Sequence, residues 1–273
     1  MARAFFFGDR PPGSAHLFGT VTHVSPSAKP AFAVLMCHAF SEERQKSYRS
    51  TYLFARQLAS VGIPSMRFDY FGTGDSRGNL SDVTLHSMTD DTVEACHEIR
   101  ERFQVDSIVL LGVRLGAAVA TRAANRLGDI DRMIFWNPVI EGRRFLRDLT
   151  RTEAMINLAR KKRPSAEQKV DVTGIEVDAD TLSETMASQL KELDLASETQ
   201  FASEFLVTGR KSDKIETRQI ENLVGSLAAR DKRVCCWTGE EREFWSSRSM
   251  YDAFYPRLTF ETSIEWLTKQ RNT

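Results

Sequence analysis

Neither sign of charge dominates this chain of 273 residues: 37 lysines and arginines stand against 37 aspartates and glutamates. Such balance offers no global field to nucleic acid or to an anionic membrane, so neither is expected as a partner, although a local patch stays open. Cysteine is sparse as well. Cys37, Cys96, Cys235 and Cys236 show no metal-ligand spacing and are read as buried, reduced thiols; no metal and no cofactor are expected. Long apolar runs are missing. The stretch "MARAFFFGDRPPG" holds only a short one before Gly8, too short for the apolar region of a signal peptide or for a membrane span. It is read as a first strand, and the protein as cytoplasmic, with no membrane insertion. Histidine stops early: none of the five lies beyond His97.

What is present is an ordinary globular composition, 41% hydrophobic and 27% charged, in regular alternation. Strand-like runs occur at "HLFGTVTHV", "AFAVLMCHAF", "IPSMRFDYFG", "DSIVLLGV", "DRMIFWNPV", "SEFLVTG" and "KRVCCWTG". Helical patterns separate them from the second onward. In "SYRSTYLFARQLASVG", Tyr52, Leu53, Ala55, Leu58, Ala59 and Val61 form a broad apolar stripe that ends at Gly62. "TDDTVEACHEIRERF" reads as another helix, with acidic residues in its first turn, where the helix dipole favours them. This order predicts an α/β fold with a mostly parallel central sheet and helices on both faces. The runs from Phe5 to Phe7 and from Leu17 to Val24, separated by Pro-Pro-Gly, predict an antiparallel edge.

Between Glu141 and Gln200 the texture changes. "GRRFLRDLTRTEAMINLARKKRPSAEQ" is basic and amphipathic, "VDVTGIEVDADTLSETMASQLKELDL" is acidic, and neither contains a long apolar strand. About sixty residues exceed a simple loop, so 141–200 is expected as a mostly helical cap insertion, with 1–140 and 201–273 forming the core. Insertions at the carboxyl end of a parallel sheet sit over its crevice; a solvated helical excursion is the alternative. The basic run "RRFLRDLTR" could bind an acidic ligand or simply be a wet face.

Three stretches fall at the carboxyl ends of successive strands: "MCHAFSEERQKSYR", "RFDYFGTGDSRG" and "LLGVRLGAA". In this order they resemble the α/β-hydrolase superfamily, whose third strand leads into an oxyanion loop, whose fourth ends in an Asp-x-x-Gly-x-Gly-x-Ser turn, and whose fifth ends in the G-x-S-x-G nucleophile elbow. The resemblance runs from about Leu17 to Leu267. The set "HAFSEERQKS", "FDYFGTGDSRG", "GVRLGA", "WNPVIEGRRFL", "IEVDADTLS" and "EFW" is similar, more narrowly, to the hydrolase-like proteins that accompany exosortase systems in bacteria. That likeness implies a neighbourhood of surface polysaccharide and protein sorting and supplies no substrate.

The elbow departs from the superfamily pattern. Gly112 and Gly116 permit its sharp turn, and the residue presented between them is Arg114. A guanidinium stays protonated, so it is neither nucleophile nor general base. Asp213, in "GRKSDK", matches the superfamily's acid. Its histidine belongs in the loop after the last strand, where 240–247 offers Phe244 and Trp245 instead. With serine and histidine both missing, a Ser-His-Asp mechanism is not expected.

Substitutes are few. Cys37 lies inside a strand and points into the core. Ser41 and Ser76 fit better as turn hydroxyls, and Asp75 as a bonder of nearby amides. His38 is the one imidazole expected at the mouth of the site, as a general acid or base or as part of the oxyanion loop's shape. Trp136, Asn137 and Pro138 line the crevice or pack.

Arg114 can bind an anion. It would stand at the amino end of a helix, where unpaired amides already favour negative charge, and its fork suits a carboxylate or phosphate. Equally, it can pair internally with Asp213, Glu42, Glu43 or Asp69, because a buried guanidinium needs a partner. His38, Arg114 and Asp213 are thus the residues that could take part in chemistry, and Arg114, Leu115, Ala39, Phe40, Glu42 and Trp245 those expected around a ligand. Three functions follow: a non-catalytic member binding a small acyl or anionic ligand; an ester or thioester enzyme without the triad, using His38 or a carboxylate; and a protein-interaction scaffold. A homo-oligomer is compatible with each.

Overall fold

The central strands are buried along almost their whole length, so one sheet carries a helical layer on each face. In the computed structural model, which describes residues 2–9, 15–24, 30–161, 175–177, 180–246 and 255–269, the elements run β1 (Ala2–Phe7), β2 (Leu17–Thr22), β3 (Phe32–Cys37), α1 (Glu42–Ser60), β4 (Ser65–Phe68), α2 (Leu85–Phe103), β5 (Ser107–Val113), α3 (Gly116–Leu127), β6 (Arg132–Trp136), α4 (Gly142–Lys161), β7 (Ile175–Val177), β8 (Asp180–Leu182), α5 (Glu184–Glu192), α6 (Leu195–Glu198), β9 (Glu204–Arg210), α7 (Lys214–Ala228), β10 (Arg233–Gly239) and α8 (Arg257–Lys269). Eight strands form one sheet in the order β1-β2-β4-β3-β5-β6-β9-β10. β1, β2 and β4 pair antiparallel, and the remaining pairs are parallel. The expected antiparallel edge is therefore present; its Pro-Pro-Gly turn lies outside the described residues.

Successive side chains of a strand face opposite ways. Phe32, Val34 and Met36 join Phe54 and Leu58 of α1 and Phe260 and Leu267 of α8. Ala33, Leu35 and Cys37 face the other layer, with Met88 of α2, Ala117 of α3 and Leu223 of α7. From β3 the chain moves to β4 on one side and then to β5 on the other. Such a reversal opens a crevice beyond the carboxyl ends of β3 and β5.

Several sequence expectations shift. α1 starts at Glu42 and buries Ser47, Ser50, Thr51, Phe54, Ala55 and Leu58, while Tyr52, Leu53 and Ala59 are half-buried and Val61 is exposed. Small hydroxyls near its start let the helix lie close to the sheet, which rotates the buried line away from the apolar stripe. α2 starts at Leu85, earlier than expected. Thr84 and Ser87 cap each other's backbone N–H groups there, a stronger start signal than the acids that follow. Cys37 and Cys96 are buried, but Cys235 and Cys236 are exposed, because β10 is an edge strand.

The segment between β6 and β9 holds α4, α5, α6 and a two-stranded antiparallel β7–β8 pair. That pair was not expected, since three residues per strand are too few to show an alternation; most of the intervening polar run, 162–174, lies outside the described residues. The segment closes at its neck: Glu141 bridges Asp194, the Gly142 N–H donates to the Leu193 carbonyl at 3.0 Å, and the Leu195 N–H to the Ile140 carbonyl at 2.9 Å. Arg122 of α3 grips Glu198 with two bonds of 2.7 and 2.8 Å. Phe145, Leu146, Met186, Leu190 and Leu195 belong to the larger core cluster. Among the described residues no helix is long and apolar enough to cross a membrane.

Leu190 is fully buried in that cluster. Leu190→Ala should lower unfolding free energy by roughly 2–5 kcal/mol in urea titration, the range for core leucines; a loss within about 0.5 kcal/mol, as at a surface position, would place α5 outside the cooperative core.

Candidate functional site

The turn from β5 into α3 is built by two glycines. A Cβ at Gly112 would overlap the backbone of Ala117, and one at Gly116 would overlap the carbonyl of Cys37. Only bare backbone lets helix and strands meet so closely. Between them Arg114 takes φ 53°. Its N–H donates to the Trp136 carbonyl at 3.0 Å, and its carbonyl accepts from Ala117 at 3.1 Å and Val139 at 3.2 Å. Ser41 after β3 (φ 55°) and Asn137 after β6 (φ 46°) also occupy the left-handed region. Three neighbouring strands thus end in non-glycine residues held in a sparsely populated conformation. The other two such residues among the described ones, Gln104 and Asp231, follow α2 and α7.

The guanidinium is paired. Arg114 Nε donates to Glu43 Oε1 at 3.0 Å, with the two side chains 18% and 19% exposed. Nη1 donates to the Asn137 carbonyl at 2.8 Å. Among the described residues Nη2 makes no hydrogen bond, and the Trp245 ring lies 4.9 Å from Cζ, a cation–π distance. Burial pushes the Glu43 carboxyl upward; Arg114 opposes this, while Glu243 and Glu216 reinforce it. Arg114 is held above the usual arginine range, its burial outweighed by Glu43 and Glu216. Of the internal partners the sequence left open, Glu43 is the one used.

Two adjoining crevices of about 230 Å³ each share Glu43, Arg114, Phe145, Asp148, Trp245 and Ser246. In one, the walls carry further charge. Arg210 pairs with Glu216 at 3.1 Å and Glu243 at 2.5 Å, and Arg144 lies 3.6 Å from Asp213 and 3.7 Å from Asp148. Asn137 Nδ2 donates to Glu216 at 2.9 Å. Six carboxylates, those of Glu43, Glu141, Asp148, Asp213, Glu216 and Glu243, line that crevice against three guanidiniums, so positive charge in it is local to the guanidiniums.

The other expected residues fare differently. Asp213 is at the crevice wall but caps α7, accepting from Ile215 at 2.8 Å and Glu216 at 3.1 Å, and the Glu216 N–H first of all lowers its pKa. Trp245 lines both crevices, where the superfamily's histidine is sought; Phe244 packs edge-on to Trp136 instead. Ser247, the last residue of that span, lies outside the described residues. Glu42 lines one crevice and pairs with Lys46 at 2.6 Å. Leu115, Ala39 and Phe40 are buried and line neither crevice, since their side chains turn into the core. The Trp136 indole donates to Ser263 at 2.9 Å and packs, whereas Pro138 lines a crevice. Ser76 is a turn hydroxyl, accepting from Phe18 and donating to Asp69. Among the described residues Asp75 bonds no amide, contrary to expectation; its own N–H donates to Asp69 at 3.0 Å. Burial pushes the Cys37 thiol up to about 12, so it is no thiolate nucleophile. Sequence reasoning missed Arg210, Glu216 and Glu243 as site residues. Their charges face inward only because strand ends place them there, and spacing carries no sign of that.

His38 is not at the mouth. It continues the face of Val34 and Met36, so its ring is carried beneath α1, 1% exposed, and stacks on Tyr48 at 6.3 Å. Among the described residues neither ring nitrogen has a hydrogen-bond partner. Burial, then Arg67 and Arg44, holds its pKa well below the usual histidine value. Arg67, 5% exposed, lies 4.8 and 5.5 Å from the Tyr48 and Tyr52 rings. Among the described residues, one group could offer a metal ion three ligands: His16, Asp91 and Glu94, with ligand atoms within 4.8 Å of one another. Its carboxylates already accept the Phe71 and Asp9 N–H groups, and its residues line neither crevice.

A mostly parallel eight-stranded sheet with a glycine-flanked strand-turn-helix at the end of β5 defines an α/β hydrolase. Residues 28–199 match the family described as serine aminopeptidase, S33, and the chain belongs to that family. No curated protein matches the sequence. Among solved structures, Est1E from Butyrivibrio proteoclasticus with ferulic acid bound superposes with TM-score 0.67 at 15% identity, covering 94% of this chain and 96% of that one. An α/β serine hydrolase without lid from Xanthomonas campestris gives 0.59 at 18%, covering 97% and 94%, and the Pyrococcus furiosus esterase Pf2001 gives 0.60 at 15%, covering 93% and 85%. Identities this low show the fold and nothing finer.

His38 generates a pH prediction. Its folded-state pKa lies below the ordinary 6.5, so below that pH the unfolded chain binds the extra proton and stability falls, by up to about 1.4 kcal/mol per pH unit. His38→Phe should flatten the decline in unfolding free energy between pH 7.5 and 5.5 by roughly 1 kcal/mol. An unchanged slope would show that the ring charges as readily in the folded chain.

Proposed function

We propose that this α/β hydrolase binds a small ligand in the crevice above Arg114, with a carboxylate or acyl oxygen on the guanidinium, and does not run serine-hydrolase chemistry. The observation that carries this reading is Arg114 itself, set at the tip of the β5–α3 turn with Nε and Nη1 committed to Glu43 and Asn137 and Nη2 uncommitted among the described residues. A guanidinium there cannot attack a carbonyl, but its fork can hold an oxygen anion. His38 is withdrawn from any proton transfer at the crevice by its burial. Arg144, Phe145 and Asp148 of α4 line the same space, which supports reading the 141–200 segment as a cap. The motif likeness to exosortase-associated proteins sets the proposal in bacteria, beside surface-polysaccharide and protein sorting.

The test is a fluorophosphonate probe together with a panel of acyl esters and thioesters, applied to the wild type and to Arg114→Ala. No serine should be labelled, and neither protein should turn over the panel. A labelled serine, or wild-type turnover that disappears in Arg114→Ala, would establish an enzyme and overturn the reading.

A further inference from the structure

The crevice at Arg114 is richer in acceptors than in donors. Its carboxylates outnumber its guanidiniums two to one, and Arg144 and Arg210 are each already shared between two of them. Glu43 shows the imbalance at one atom: Oε1 takes the Arg114 bond, while Oε2 is buried and, among the described residues, has no hydrogen-bond partner. A buried acceptor left unmatched is unfavourable. A ligand with an anionic group alone would add to the excess, whereas one that also carries hydroxyls would relieve it. The apolar surfaces of Val139, Phe145 and Trp245 beside these groups suit the carbon face of a ring. Each crevice, at about 230 Å³, exceeds the ~150 Å³ of an apolar cavity that takes up benzene, the scale of one substituted ring.

We infer that the ligand is a hydroxylated carboxylate of monosaccharide size, a sugar acid, with its carboxylate on Arg114 and a hydroxyl donating to Glu43. The inference rests on the proposed anion site at Arg114 and adds the class of molecule that fills it.

Isothermal titration with D-glucuronate, D-glucose and cyclohexanecarboxylate separates the two readings, on wild type, Glu43→Gln and Arg114→Gln whose thermal unfolding shows them folded. Glucuronate should bind wild type on the order of tenfold or more tighter than either other probe, as one lost bond to a charged group would predict. Glu43→Gln should shrink the preference for glucuronate over cyclohexanecarboxylate, and Arg114→Gln should weaken both acids. Equal binding of glucuronate and cyclohexanecarboxylate would overturn the sugar-acid inference while leaving the anion site standing. Glucuronate binding untouched by Arg114→Gln, or no binding of either acid, would overturn both.

Discussion

Arg114 keeps its charge at every pH at which the chain folds, and a charge taken out of water needs an opposite one close by. The carboxyl end of the sheet is organised around that requirement. Glu43 comes from the first turn of α1, the Asn137 carbonyl from the end of β6, and the Trp245 ring from the chain after β10. Each belongs to a different connection, so one guanidinium fastens three loops that a parallel sheet would otherwise leave separate. Behind it, Arg210 repeats the arrangement with Glu216 and Glu243, and the Trp245 ring, 5.7 Å from its Cζ, lies within reach of both cations.

The same α1 that supplies Glu43 covers a second set of charges on its other side. Arg44 holds Asp69 at 2.6 Å, and Tyr48 lies against both His38 and Arg67. The helix therefore separates a wet, paired charge network at the crevice from a dry one over β3 and β4. A superfamily position associated with the oxyanion loop, His38, falls on the dry side, and strand alternation alone is enough to put it there.

Much of the fold was legible. Alternating strands and helices gave the parallel sheet, the early apolar runs gave its antiparallel edge, and the glycines at 112 and 116 marked the turn that presents Arg114. What stayed hidden depends on contacts between distant residues. The choice of Glu43 over Glu42 is a rotation of about 100° around a helix axis, decided by how deeply Ser47 and Thr51 let α1 settle on the sheet. The exposure of Cys235 and Cys236 follows from β10 being last in the strand order, which no local pattern records. Asp213 matched the superfamily's spacing, yet with no histidine to face, its carboxylate serves the start of α7.

Ser41, Arg114 and Asn137, each held at positive φ, also bear on how this end of the sheet is maintained. Strain of this kind withholds of order 1–3 kcal/mol per residue, set against a net stability for folded domains on the order of 5–15 kcal/mol. A glycine at any of the three would relax the backbone through a single substitution. A serine, an arginine and an asparagine hold these strand ends instead, and the arginine's guanidinium and the asparagine's amide each bond a glutamate of the crevice.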